Sequence, residues 1–134
     1  MSQEQIDVVR RCWAELDQKP PKASLELFHE DVVIQNPPEM PMPGPFHGHA
    51  GVRVWLNEIW DVFNDLHHDI EELLDGPDGN TVVSVQCTKA RMRHTELPVD
   101  VPWAAVWQFK EGKIWRAQGY MRRKEALEAA GLSE

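Results

Sequence analysis

The chain has 134 residues, a formal net charge of −8 and a pI of about 5.2. That length suits one domain spanning residues 1–134, and it lets a chain bury about two-thirds of its unfolded surface without help from a disulfide or a metal. The acidity disfavours nucleic-acid partners and anionic membranes, both of which need clustered Lys and Arg.

No stretch approaches the roughly 20 apolar residues of a membrane span, and SQEQID after Met1 has no apolar signal core. Cys12 and Cys87 fall in no CxxC pattern, so a reducing cytoplasm is the expected setting. Six Trp stand against one Tyr. So many indoles either fill a core or line a pocket.

SQEQIDVVRRCWAEL reads as a helix. Ser2 and Gln5 form an S-x-x-Q capping box. Ile6, Val9, Trp13 and Leu16 recur at helical spacing and mark its buried face. Pro20-Pro21 stops it. KASLELFHE reads as a second short helix, and DVVIQ as a strand rich in β-branched residues. Residues 37–45 then carry five prolines in nine positions, which excludes regular helix and central strand. Met40 and Met42 give this stiff loop apolar reach. It is either a lid or a plain connector.

HAGVRVWLNEIWDVFND is the longest predicted helix, with Val52, Leu56, Ile59 and Phe63 on one stripe. LHHDIEELLD, TVVSVQCTKARMR, VDVPWAAVWQF and IWRAQGYM read as strands, the last two joined by a KEGK turn. RKEALEAAG reads as a short terminal helix with a C-cap at Gly131. Segregated helices and strands imply an α+β fold, with helices covering one sheet face.

Period-two alternation assigns faces to the last strands. Trp115, Ala117, Gly119 and Met121 are expected against the helices, together with Trp103, Ala105, Trp107 and Phe109. The other face carries Ala104, Val106, Arg116, Gln118 and Tyr120. That face is apolar enough to want a partner, and a homodimer formed through it is the economical expectation. The Trp residues mixed with Ala105 and Gly119 either interdigitate or enclose an apolar, aromatic small-molecule site.

Three motifs, LFHEDVVIQNPP, FHGHAGVRVWL and AAVWQFKEGKIWRAQGYMRRKEALEAAGL, resemble the SnoaL-like branch of the nuclear transport factor 2-like superfamily. The resemblance runs from about Ile6 to Leu132. It implies a cone: a strongly bent antiparallel sheet, three N-terminal helices on its concave face, and a short C-terminal helix. It also implies that Asn36, Cys12, Trp13, Trp103, Ala105, Trp107, Trp115, Gly119 and Met121 line the pocket.

The resemblance carries over no known catalytic set. The general base of ketosteroid isomerases falls on Asn36, and their two oxyanion donors fall on Cys12 and Ala105. Neither Asn nor Ala performs these tasks. The Asp-Arg-Asp set of limonene epoxide hydrolases falls on Cys87, Lys89 and Gly119. The acid–base Asp of SnoaL-like cyclases has no counterpart in IWRAQGYM.

Asn36 is therefore either a group that orients a ligand or an amide that caps the proline loop. None of the six His has the spacing of a known metal site, and neither a metal nor a cofactor is expected. His94 and His68 are the candidates for an inward general base. His68 shares parity with Leu66 and Ile70. Three functions stay open: a binder of a small, mostly apolar molecule, an isomerase, cyclase or hydrolase that uses an inward His with Asn36, and an interaction module whose cone is filled by its own Trp side chains.

Overall fold

The computed structural model describes residues 2–133, without the side chain of Ser2. The predicted capping box falls on that side chain and so lies outside the described residues.

The first helix, α1, is Ser2–Leu16. It buries Val9, Cys12, Trp13 and Leu16, the face that its periodicity marked. The following turn folds back on it. The Glu15 carboxylate accepts the Ser24 N–H at 2.8 Å, the Ser24 hydroxyl at 2.7 Å and Arg11 Nε at 3.2 Å.

KASLELFHE departs from its helical reading. It makes one 3-10 turn, Leu25–Leu27, and then enters strand β1, Phe28–Gln35. Tertiary pairing overrides the local helical preference here. Phe28 is bridged to Ile114 of the last strand and is almost fully buried.

After β1 come β2 (Phe46–His47), α2 (Gly48–Val62) and β3 (Phe63–Asp75). The second long helix stops three residues early because Phe63 already pairs with Met92. Arg93 fastens this junction by donating to the carbonyls of Trp60 at 2.7 Å and Phe63 at 3.0 Å, while its guanidinium lies over the Trp60 ring. These bonds satisfy carbonyls that a helix end leaves free.

The remaining elements are β4 (Thr81–Met92), β5 (Pro98–Lys110), β6 (Lys113–Tyr120) and α3 (Arg123–Ala129). Helix α3 ends as expected at Gly131, φ +80°. Leu132 N–H returns to the Leu127 carbonyl and Gly131 N–H to that of Glu128.

The six strands form one open sheet in the order β2-β1-β6-β5-β4-β3. It is mixed rather than purely antiparallel, because β1 runs parallel to β6. Such a pair needs a long crossover, and everything from β2 to β5 supplies it. Helices α1 and α2 fill the concave face over one large core, as an α+β cone requires.

Two expectations about the other face are corrected. Trp115 does not point inward. Between the pairs Gln108–Arg116 and Phe109–Ile114, β6 carries one extra residue, a β-bulge at Trp115. The bulge turns Trp115 to the convex side, where the Arg116 guanidinium stacks on its ring at 4.1 Å, and it is the fully buried Ile114 that enters the core. In addition, Ala104 and Val106 do not await a partner. Helix α3 packs over them through Ala126 and Leu127.

Candidate functional site

Between the helices and the concave sheet lies a chamber of about 400 Å³. Helix α1 contributes Trp13 and Leu16, and α2 contributes Trp55 and Ile59. Strand β3 adds Phe63, Leu66 and His68, while β4 and β5 add Thr88, Met92, Val99, Val101 and Trp103. The proline loop closes one side with Glu39, Met40, Pro41 and Met42. It is therefore a wall of the chamber and more than a connector. The cone is not filled by its own indoles.

Alternation in β4 explains why the sheet indoles hold still. Ser84 and Thr88 share the concave face, and their hydroxyls accept Trp107 Nε1 at 2.9 Å and Trp103 Nε1 at 2.7 Å. Trp13 meets both of these rings edge-on, with centroids 5.8 Å and 5.6 Å away.

His68 and Glu39 are the ionisable residues of this mostly apolar wall. His68 is buried, and its ring lies 4.5 Å from that of Trp13. Its Nδ1 sits 2.7 Å from Asp17 Oδ1, and its backbone N–H donates to Asp17 Oδ2 at 3.1 Å. An ionised carboxylate can only accept, so the proton of neutral His68 rests on Nδ1 and Nε2 keeps its lone pair. No hydrogen bond occupies Nε2 among the described residues. A buried imidazole so oriented can act as a general base on a molecule in the chamber. Asp17 went unnoticed in the sequence. It follows the last residue of α1, and no local pattern ties it to a histidine 51 positions away.

Asn36 makes the bonds that its capping reading expects. Its Nδ2 donates to the Met42 carbonyl at 3.1 Å, and its backbone N–H donates to that of Pro43 at 2.9 Å, so the residue caps the proline loop. Its Oδ1 receives no hydrogen bond among the described residues, and the residue borders the chamber.

The other candidates separate. Ala105, Trp107 and Gly119 line a second, deeper void of about 20 Å³, together with Trp13, Asn36 and Trp103. Gly119 has to be glycine there, because a Cβ would stand 2.6 Å from Pro37 Cδ and 2.8 Å from Trp103 Cζ3. Cys12 and Met121 pack in and against the core and line neither space. Burial pushes the Cys12 thiol far above the ordinary range. Trp115 is excluded by its bulge. His94 is excluded as well, since it is exposed on the turn after β4, where strand parity no longer applies.

Cys87 and Lys89 point away from the chamber. The Cys87 thiol donates to Asp100 Oδ1 at 2.9 Å, and that bond, with burial, pushes it up to about 11. Lys89 Nζ pairs with Asp69 at 3.0 Å. Among the described residues, no three His, Cys, Asp or Glu side chains converge as metal ligands. No described helix is long and apolar enough to cross a membrane.

Similar architectures occur in solved structures. A ketosteroid isomerase-like protein from Catenulispora acidiphila, in complex with trimethylamine, superposes with a TM-score of 0.74 at 18% identity over 94% of this chain and 93% of that one. A protein of unknown function with the nuclear transport factor 2-like fold, from Burkholderia pseudomallei, gives 0.76 at 16% identity over 93% and 95%. SalBIII, an epoxide hydrolase/cyclase-like enzyme of pyran ring formation in the polyether salinomycin, gives 0.73 at 20% over 90% and 93%. At these identities the likeness concerns the fold alone. No curated protein matches the chain. The sequence model of the SnoaL-like domain matches residues 9–117, most of the chain, and the protein belongs to the SnoaL-like domain family.

Proposed function

We propose that the protein is an acid–base enzyme acting on a small, neutral, mostly apolar molecule, with His68 as general base and Asp17 as its orienting partner. The observation that carries this reading is the 2.7 Å contact between His68 Nδ1 and Asp17 Oδ1 at the wall of a mostly apolar chamber. A proton leaving an activated C–H or O–H of the bound molecule passes to His68 Nε2. The partly exposed Asp17 carboxylate stabilises the imidazolium that forms.

Chamber chemistry supports the substrate class. Among the described residues, no Lys or Arg lines it. An anion would lose its hydration there and find the Glu39 carboxylate on the loop. Occupancy by a small molecule is also supported by the trimethylamine complex of the C. acidiphila relative.

The test is exchange of activated C–H protons of neutral cyclic ketones in D2O, followed by NMR, with binding of each ketone measured separately by calorimetry. Exchange catalysed by the native protein and lost in His68→Gln supports the proposal. Ketones that bind but exchange equally in the native protein and His68→Gln would remove His68 as the base.

We also propose that two copies pair through the convex face. Support comes from the half-exposed Val33, Trp115 and Tyr120 beside Arg116 and Gln118. Sedimentation of a monomer at micromolar concentration would overturn this. A cytoplasmic setting belongs to the same reading, supported by two cysteines that are both unpaired.

A further inference from the structure

A second histidine stands on the solvent side of Asp17. Strand β3 is the outermost strand at its end of the sheet, and Asp17 lies along that edge, where it accepts the His68 N–H. His68 turns into the chamber, whereas its neighbour His67 turns to solvent, as strand alternation requires. At the edge, one carboxylate meets both rings. Asp17 Oδ1 contacts His68 Nδ1 at 2.7 Å, and Asp17 Oδ2 lies 3.4 Å from His67 Nδ1.

His67 has a carboxylate near each ring nitrogen. Its Nε2 is 2.7 Å from Asp69 Oδ1. Lys89, whose Nζ is 3.0 Å from Asp69 Oδ2, and His67 itself hold the Asp69 carboxyl below the ordinary range. A neutral imidazole has one N–H, and the Asp69 carboxylate takes it. The other nitrogen then brings no proton towards Asp17. The imidazolium, by contrast, is attracted to both carboxylates. Lys19 and Arg91, the cations next along the chain from Asp17 and Lys89, are both bound to Asp65. On the inner side, Glu39 of the proline loop is the charged group that shares the chamber wall with His68.

Two histidines thus flank one carboxylate. A carboxylate beside an imidazole favours its charged form, and a base that already carries a proton accepts none. A cation at the outer oxygen draws on the same negative charge and opposes that effect. We infer that His67 is a positioning residue for the base and acts through Asp17: as an imidazolium it shares the carboxylate and so leaves the His68 Nε2 lone pair available. The catalytic meaning of this role rests on the acid–base function proposed above, whereas the coupling of the two rings is measurable without it. The His67 side chain is 58% exposed, so water and salt screen the coupling and keep it modest.

The test is a pH titration of both assigned rings by ¹⁵N NMR in the native protein, His67→Gln and His67→Lys, beside the pH profile of ketone exchange. In His67→Gln, which carries no charge, the proton affinity of His68 rises by about 2- to 5-fold and the exchange profile moves to higher pH. His67→Lys restores a cation and moves both back towards the native values. In the native protein the His68 signals also respond as His67 titrates, because two sites on one carboxylate titrate as a coupled pair. His68 signals that ignore the titration of His67 overturn the inference, even if the variants fail to fold. A His68 titration unchanged in His67→Gln, or raised equally in His67→Gln and His67→Lys, overturns it as well. Exchange that is indifferent to His68→Gln removes the base instead, and the ¹⁵N titrations still decide the coupling.

Discussion

Asp17 holds both Nδ1 and the backbone N–H of His68, across 51 positions of sequence, with its two carboxylate oxygens. This double grip fixes both the ring and the strand that carries it. Asp17→Asn is expected to lose most of the exchange activity, about 10²–10⁴-fold, because an amide can turn its NH₂ towards Nδ1 and shift the proton to Nε2. Thermal unfolding of the same variant is expected to show a loss of only about 1–2 kcal/mol. Full activity in Asp17→Asn would contradict the assigned role.

Asn36→Leu removes the donor that serves the Met42 carbonyl and is expected to cost about 1–3 kcal/mol in urea denaturation. Asn36→Asp is also destabilised near neutral pH, since a carboxylate cannot donate and would face that carbonyl. Protonation restores a donor, so the folded form holds its proton more tightly than the unfolded chain does. Stability of Asn36→Asp relative to the native protein is therefore expected to recover as pH falls through the raised folded value. A difference that stays constant with pH would refute the cap.

Gly119→Ala is expected to destabilise by about 1–3 kcal/mol, because the new methyl meets the Pro37 ring and the Trp103 edge. Trp115→Ala, on the convex face, is expected to leave binding of the neutral cyclic ketones unchanged. Calorimetry on both variants checks the assignment of faces.

The fold owes part of its acid sensitivity to Glu15. Burial opposes its charge, but the hydrogen bonds from Ser24 and Arg11 outweigh burial and hold its pKa below the ordinary 4.5. A depressed carboxyl stabilises the fold above its unfolded value, and that contribution fades as pH falls through the lower folded value. Glu15→Gln is expected to lower stability at neutral pH by about 1–3 kcal/mol and to flatten the decline below about pH 4.5. An unchanged acid limb in urea titrations would count against this role.

Much of the fold was legible because its elements alternate cleanly. The stripe of α1, the parity of Trp103, Ala105 and Trp107, and the glycine stop of α3 all follow from local periodicity. What was hidden depends on partners distant in sequence. KASLELFHE has helical composition, and only its pairing with β6 makes Phe28 a strand residue. Trp115 obeys the period of its own strand, and the bulge that reverses it appears only against β5. The convex apolar residues Ala104 and Val106 suggested a second copy, yet the chain's own α3 covers them. In the site, parity allowed His68 to face inward, but nothing near Asp17 announced a partner for it. Asn36 was legible as an inward polar residue. That its amide nitrogen caps the proline loop needed the loop's return path.

The most direct measurement is a long-range ¹H–¹⁵N correlation spectrum of the ¹⁵N-labelled protein with the His68 ring assigned. The account predicts that neutral His68 carries its proton on Nδ1, leaves Nε2 bare, and loses this preference in Asp17→Asn. A neutral His68 protonated on Nε2, with Nδ1 bare, would contradict it.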